Sequence, residues 1–222
     1  MKGPIIWLSH PMDSTTPAYG GGDGFKAEVV SAINKGGSAN SARWSFPNHL
    51  GTHIDAPHHF IDGAATITDI PASAWVFDHP TLVDLPVDDD HLIGAADLEG
   101  RVPAECDLLL VRTGFERHRS ERRYWERNPG LSAALGTWLR SEHPTVRAIG
   151  FDLISVTARQ HREEGRAAHR ALLDPARGGQ PIWPIEDMML AGVQGPLGRV
   201  VVAPLRVSGA DGGPCTVFGW PA

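Results

Sequence analysis

Between residues 49 and 59 the chain reads His49-Leu50-Gly51-Thr52-His53-Ile54-Asp55-Ala56-Pro57-His58-His59, and four of its 11 histidines fall in this segment. Imidazole nitrogen and carboxylate oxygen suit a divalent metal such as zinc or manganese. A metal so held makes water a nucleophile near neutral pH. The spacing constrains the backbone. A fully extended chain at roughly 3.3 Å per residue would set His49 and His53 about 13 Å apart, whereas one helical turn would bring them to about 6 Å. One ion bound by both therefore demands a coiled turn, which Gly51 eases and which Thr52 can hold by bonding a neighbouring backbone group. Pro57 stops helix continuation and drives Ala56 to extended backbone. His59 then leaves on the outgoing chain, beside the metal and free to exchange protons, while His58 points away from it. A mononuclear site of His49, His53 and Asp55 already suffices to activate water.

Other chemistries have weaker support. Ser155 lacks a Gly-x-Ser-x-Gly context, and Ser9-His10 has no strand-turn-helix elbow around it. Cys106 and Cys215 are far apart and outside any metal-type spacing, so both are expected free and buried. That argues against a closed, cysteine-rich zinc site. Two further ligand candidates lie downstream: His169, inside a helical stretch, and Glu186, just after an apolar strand. Taken singly, such residues are usually ordinary surface groups.

The formal net charge is −6, and no basic tail or stripe accompanies it, which argues against nucleic acid as a partner. The densest basic stretch, residues 112–127, is interleaved with Glu116, Glu121 and Glu126 and reads as a solvated helix face. No segment approaches the roughly 20 apolar residues that span a bilayer. The N-terminal apolar run is too short for a signal peptide, and a cytoplasmic protein is expected.

With 222 residues, 41% of them hydrophobic, the chain is expected to form one domain, residues 1–222, around a sizeable core. Its 25 glycines and 18 prolines imply many turns and short strands. Strands are predicted at residues 5–9, 27–33, 42–46, 81–85, 108–112, 146–151, 181–185 and 200–207. Helices are predicted at 116–128, at 132–142 with Ser132 as N-cap, and at 162–173, where Asp174-Pro175 ends the run. Residues 11–23 read as a loop. Strands and helices without a strict βαβ rhythm imply an α/β fold of mixed β-sheets with helices packed on them.

The segment from His49 to His59 resembles the signature His-x-Gly-Thr-His-x-Asp-x-Pro-x-His of the cyclase-like metal hydrolases, a family that includes bacterial kynurenine formamidase (arylformamidase) and isatin hydrolase. It matches at every specified position. The resemblance extends through Arg112-Thr113-Gly114, Asn128-Pro129-Gly130-Leu131-Ser132, Gly150-Phe151-Asp152-Leu153-Ile154-Ser155 and Gly209-Ala210-Asp211-Gly212-Gly213-Pro214. It implies a swivelling β/β/α domain assembled as a homodimer or homotetramer. It also implies a first metal on His49, His53 and Asp55, with Asp55 bridging to a second on His169 and Glu186, and His59 as catalytic acid/base. One or two ions, Zn2+ or Mn2+, follow for each chain.

The reading is thus a metal-dependent hydrolase acting on a non-peptide carbon–nitrogen bond of a small molecule. N-formylkynurenine leads as substrate, because formamidase is the resemblance's best-known activity. An isatin-type cyclic amide or a lactone is the alternative, and a non-catalytic metal- or small-molecule-binding protein is a second. Tyr19, set among glycines in the N-terminal loop, is the expected substrate wall. Phe46, Phe60 and Trp75 are expected in the core.

Overall fold

The computed structural model describes residues 3–222. Its strands are β1 (Ile6–Trp7), β2 (Lys26–Ser31), β3 (Ser41–Ser45), β4 (His53–Asp55), β5 (Val76–Phe77), β6 (Pro80–Asp84), β7 (Leu92–Ile93), β8 (Leu108–Arg112), β9 (Gly130–Leu131), β10 (Ala148–Phe151), β11 (Trp183–Glu186), β12 (Leu197–Pro204) and β13 (Gly212–Pro221). Its α-helices are α1 (Ala95–Leu98), α2 (Arg123–Glu126), α3 (Ala133–Glu142) and α4 (Arg162–Leu173).

The principal sheet runs β5-β12-β13-β4-β11-β10-β8-β6, with β1 beside β13. The half from β6 to β11 is parallel, and the half from β4 to β5 is antiparallel. Strand β13 joins the halves: residues 212–214 pair with β4, and its remaining length pairs with β12. The sheet thereby folds over, and β6 packs near β12.

Period-two alternation sorts the side chains into two cores. Leu108 and Leu110 of β8 enter an inner cluster with Ile54, Phe77, Ile185 and Val217. Leu109 and Val111 enter an outer cluster with Leu135 and Leu139 of α3 and Leu172 of α4. A strand apolar on both faces belongs between two covered layers. The result is the mixed-sheet α/β arrangement expected from the sequence, with helices on the parallel half. No helix among the described residues is long and apolar enough to cross a membrane.

Helix α3 starts where its cap predicts, Ser132 Oγ accepting from the Leu135 amide at 3.2 Å, and α4 spans the predicted residues. The helix expected at 116–128 is not continuous. It breaks into a 3₁₀ turn, Phe115–His118, and the single turn α2. The basic stretch is solvated in part: Arg117, Arg122, Arg123 and Arg127 are exposed, whereas Arg119 turns inward to Asp187 and Tyr124 is wholly buried. Strand β13 was hidden by Gly212, Gly213, Pro214 and Gly219, residues that ordinarily weaken a strand. The strands at 27–33 and 42–46 exist, as β2 and β3, but they form a separate ribbon. Both its faces are exposed, and none of its residues joins either core cluster.

Arg140, nearly buried, ties α3 to the end of α4. Its guanidinium donates to the carbonyls of Ala171, Leu172 and Asp174 at 3.1, 3.3 and 2.8 Å, and to Gly179 at 2.9 Å. These include carbonyls left orphaned at a helix C-terminus. Replacing Arg140 by Met keeps the stem and strands the acceptors, at a cost of about 2–4 kcal/mol. For a chain of this size that lowers the thermal midpoint by roughly 4–16 °C. An unchanged midpoint in a thermal melt would refute the capping role.

Candidate metal centre and active site

The site forms where β4 lies between β11 and β13. His53 and Asp55 share one face of β4, and Ile54 points oppositely into the inner core. Across the ladder His53 pairs with Glu186, Ile54 with Ile185, and Asp55 with Gly212. The register that buries the two isoleucines therefore lifts His53, Asp55 and Glu186 together. Glu186 ends a parallel-sheet strand, the usual edge for a site in open α/β sheets.

Helix α4 delivers His169. Gly165, one turn earlier, lies against the loop after β10: a Cβ there would come within 2.3 Å of Thr157 Oγ1. The Gly165 carbonyl accepts from His169 Nδ1 at 2.8 Å, and the Gly51 carbonyl likewise accepts from His53 Nδ1 at 2.8 Å. A carbonyl can only accept, so each ring carries its proton on Nδ1 and turns Nε2 inward.

Those inward nitrogens face carboxylate oxygens. His53 Nε2 lies 3.2 Å from Glu186 Oε2 and 3.7 Å from Asp55 Oδ1. His169 Nε2 lies 3.6 Å from Asp55 Oδ2 and 3.8 Å from Glu186 Oε1. All four residues are buried. Lone pairs of neutral imidazoles cannot face carboxylates in a dry site without a cation or extra protons between them. The donor set therefore fits a divalent metal. Asp55 directs one oxygen to His49 and His53 and the other to His169.

The donor atoms of Asp55, His169 and Glu186 lie within 4.8 Å of one another, as do those of His49, Asp55 and His59. All five expected metal residues and His59 thus meet in one place. The expected trio of His49, His53 and Asp55 is more spread: His53 leans toward Glu186, and His59 completes the group around His49. The approach of His49 to His53, ring centres 5.2 Å apart, uses a left-handed Gly51 at φ 66° rather than a helical turn. Thr52 does not hold that turn. It reaches across the fold, donating to the Asp187 carbonyl at 2.5 Å and accepting from the His10 amide at 3.0 Å.

Asp211 is a site residue that sequence reasoning passed over, although it lies in the quoted closing segment. Its Oδ2 is 3.0 Å from His49 Nε2 and 2.9 Å from His59 Nδ1, and its Oδ1 accepts from Asn48 at 2.6 Å. The two rings stack at 4.0 Å. Gly212 permits this packing, since a Cβ there would meet His49 Cε1 at 2.5 Å. Burial opposes the Asp211 charge, yet the bonds from His49 and His59 pull its carboxyl down to about 2.

The groups open into a cleft of about 460 Å³. Phe60 is not simply core: it lines this cleft and stacks on His169 at 4.2 Å. Tyr19 lines it too, whereas Phe46 faces a separate apolar groove and Trp75 is core. Both cysteines are free and buried. Burial pushes their thiols up, which removes them as thiolate ligands.

Residues 6–158, more than half of the chain, match the family described as "Putative cyclase". The chain belongs to the putative cyclase family. Among relatives, this cyclase-family chain is 29% identical over 209 residues to kynurenine formamidase of Bacillus anthracis, covering 94% of this chain and 93% of that protein. It is 30% identical over 222 residues to cyclase-like protein 1 of Arabidopsis thaliana, covering 96% and 83%. Its fold resembles isatin hydrolase A from Labrenzia aggregata bound to benzyl benzoate, with TM-score 0.81, 23% identity and coverage of 98% and 93%. It also resembles a predicted metal-dependent hydrolase from Bacillus stearothermophilus, with TM-score 0.77, 25% identity and coverage of 99% and 98%.

The charged groups of this cyclase-family site balance one another. Burial disfavours the charged form of His53, but Glu186 and Asp55 outweigh it and raise its pKa from 6.5 to about 9. His169 is raised for the same reasons. Burial likewise opposes ionisation of Glu186, yet His169 and His53 hold it well below its ordinary 4.5. The His53 contribution to stability is complete below pH 6.5 and is lost as pH rises through about 9. The Glu186 contribution is complete above 4.5 and is lost only in stronger acid. Chelator-treated protein should therefore melt at progressively lower temperature as pH rises from 6.5 to 9, and added zinc or manganese should flatten that decline. Parallel pH profiles with and without metal would contradict this account of the cage.

Proposed function

We propose that this cyclase-family hydrolase cleaves the formyl carbon–nitrogen bond of an aryl formamide, with N-formylkynurenine as the leading substrate. The observation that carries the reading is the His59–Asp211 pair beside the buried ligand cage. His59 Nδ1 lies 2.9 Å from Asp211 Oδ2, which can only accept from it, and the ring lines the cleft, the arrangement of a general base backed by a carboxylate. The full-length likeness to a kynurenine formamidase supports a formamide over other carbonyl compounds.

His49, His53, Asp55, His169 and Glu186 would hold one or two divalent ions, and their nitrogen and oxygen donors suit zinc or manganese. Metal bound there supplies Lewis acidity to a carbonyl oxygen and acidifies water. His59 Nε2 accepts a proton from the attacking water as oxygen adds to the formyl carbon, and Asp211 stabilises the imidazolium. His59 then returns that proton to the departing nitrogen. The carbon–nitrogen bond breaks, and formate and the free arylamine leave. Phe60 and Tyr19 offer apolar surface to the aryl body. Because Asp55 offers one oxygen toward His49 and His53 and the other toward His169, we favour two ions per chain.

Two measurements test these points. Elemental analysis of metal-saturated protein should find two ions per chain, and Glu186→Gln should weaken one selectively. A single ion that is indifferent to His169→Ala would reduce the site to one metal. His59→Ala should keep its metal while losing about 100-fold or more in kcat, the scale of general acid/base catalysis. Loss of metal together with activity would make His59 a ligand. Hydrolysis of isatin or a lactone well above every formamide would replace the substrate and leave the hydrolase.

A further inference from the structure

The cleft has a second chemical character at its mouth. Arg159 and Arg162 line it with Tyr19. Neither guanidinium has a carboxylate partner among the described residues, although most other arginines have a carboxylate or carbonyl partner; both act on the Tyr19 hydroxyl, and Arg162 is its nearer neighbour. Arg166, also in the lining, is paired with Glu163. The Tyr19 hydroxyl is buried and has no well-formed hydrogen bond, its closest polar neighbour being the Arg162 guanidinium. Two cations without a carboxylate partner and a buried hydroxyl beside them thus line the same cleft as the acidic cage.

Helix geometry fixes their distance from the reaction. Arg162, Arg166 and His169 stand at i, i+4 and i+7, one face of α4. Seven residues rise about 10 Å along the axis, which leaves room for an aryl ring between a carbonyl at His169 and an anion at Arg162. Arg159 lies in the loop before α4, with Nη1 close to Gly20: a Cβ on that glycine would sit 2.8 Å away. The N-terminal loop carrying Tyr19 and the segment carrying both arginines therefore form one rim.

We propose that Arg159, Arg162 and Tyr19 form a carboxylate-recognition subsite, selecting substrates that carry an anion across an aryl or alkyl body from the scissile amide. The proposal rests on the formamide-hydrolase reading and specifies which formamides are preferred. Guanidinium groups bind carboxylates through paired, charge-assisted hydrogen bonds, and the Tyr19 hydroxyl supplies a further donor. The rim is solvent-facing, so the preference is one of moderate size and is screened by salt.

The test compares 4-formamidobenzoate with formanilide on metal-loaded protein. Wild type should favour the carboxylated compound in kcat/KM. Arg162→Gln and Arg159→Gln should each reduce that ratio several-fold, and the double variant about tenfold or more, chiefly through KM because the contact is shared by ground and transition states. Raising salt from 0.05 to 0.5 M, on the order of a threefold change in screening length, should reduce the wild-type ratio in the same direction. A ratio that is equal in wild type and the double variant, or insensitive to salt, would overturn the subsite. If neither formamide is hydrolysed, the hydrolase reading fails and calorimetry with 4-acetamidobenzoate and acetanilide still decides the subsite. Arginine-dependent preference for the anion supports it, and equal affinities overturn it.

Discussion

Two carboxylates, Asp55 and Glu186, are held side by side out of water, and the architecture around them follows from that. An unpaired ion in such a place costs several kcal/mol even after relaxation. The chain meets the cost by bringing His53, His169 and His49 against the same oxygens. The positions come from sheet register rather than from a loop. Ile54 and Ile185 must enter the inner core, and period-two alternation leaves their neighbours no other direction. A one-residue slip of β4 would place the carboxylate in the core and the isoleucine in the cleft.

Support for the cage is equally specific. Immediately after Glu186 the chain turns at Asp187, whose φ of 51° is left-handed and uncommon for a residue other than glycine. Asp187 is held there by Arg119 at 2.7 Å, by the Tyr124 hydroxyl at 2.6 Å, and through its carbonyl by Thr52 at 2.5 Å. Glu186 itself accepts from the Val156 amide at 2.7 Å. These bonds fix a carboxylate that electrostatic repulsion would otherwise displace. Similarly, Asp152 gathers the Thr113 amide, the Thr113 hydroxyl and the Gly114 amide at 2.6–2.8 Å, joining the ends of β8 and β10.

The parts of the site that the sequence made visible are those contiguous in the chain. His49, His53, Asp55 and His59 fall within one turn and one short strand, so residue type and spacing expose them. His169 and Glu186 are brought in by α4 and β11, and locally each resembles an unremarkable helix or strand end; family resemblance, not spacing, singled them out. Asp211 depends on β13, whose glycines and prolines mask a strand. Gly212 is there because His49 needs the space, a reason visible only in three dimensions. Arg159 and Arg162 required knowing which face of α4 carries His169. The expected helix at 116–128 failed for a related reason: buried Asp187 draws Arg119 and Tyr124 inward, and no amphipathic pattern along the segment records that attraction.

The β2–β3 ribbon stands outside all of these dependencies. An isolated two-stranded ribbon is at best marginal in water, and this one gives no side chain to either core. Within a single chain its ladder can therefore open with the sheet, the cage and the cleft in place, giving up only the apolar groove that Trp44 lines with Trp7 and Phe46, as a local unit of low stability. The same independence frees its sequence and length from the packing demands that bind the rest of the fold. Residues there can drift, lengthen or acquire contacts while the catalytic half of the molecule keeps its geometry.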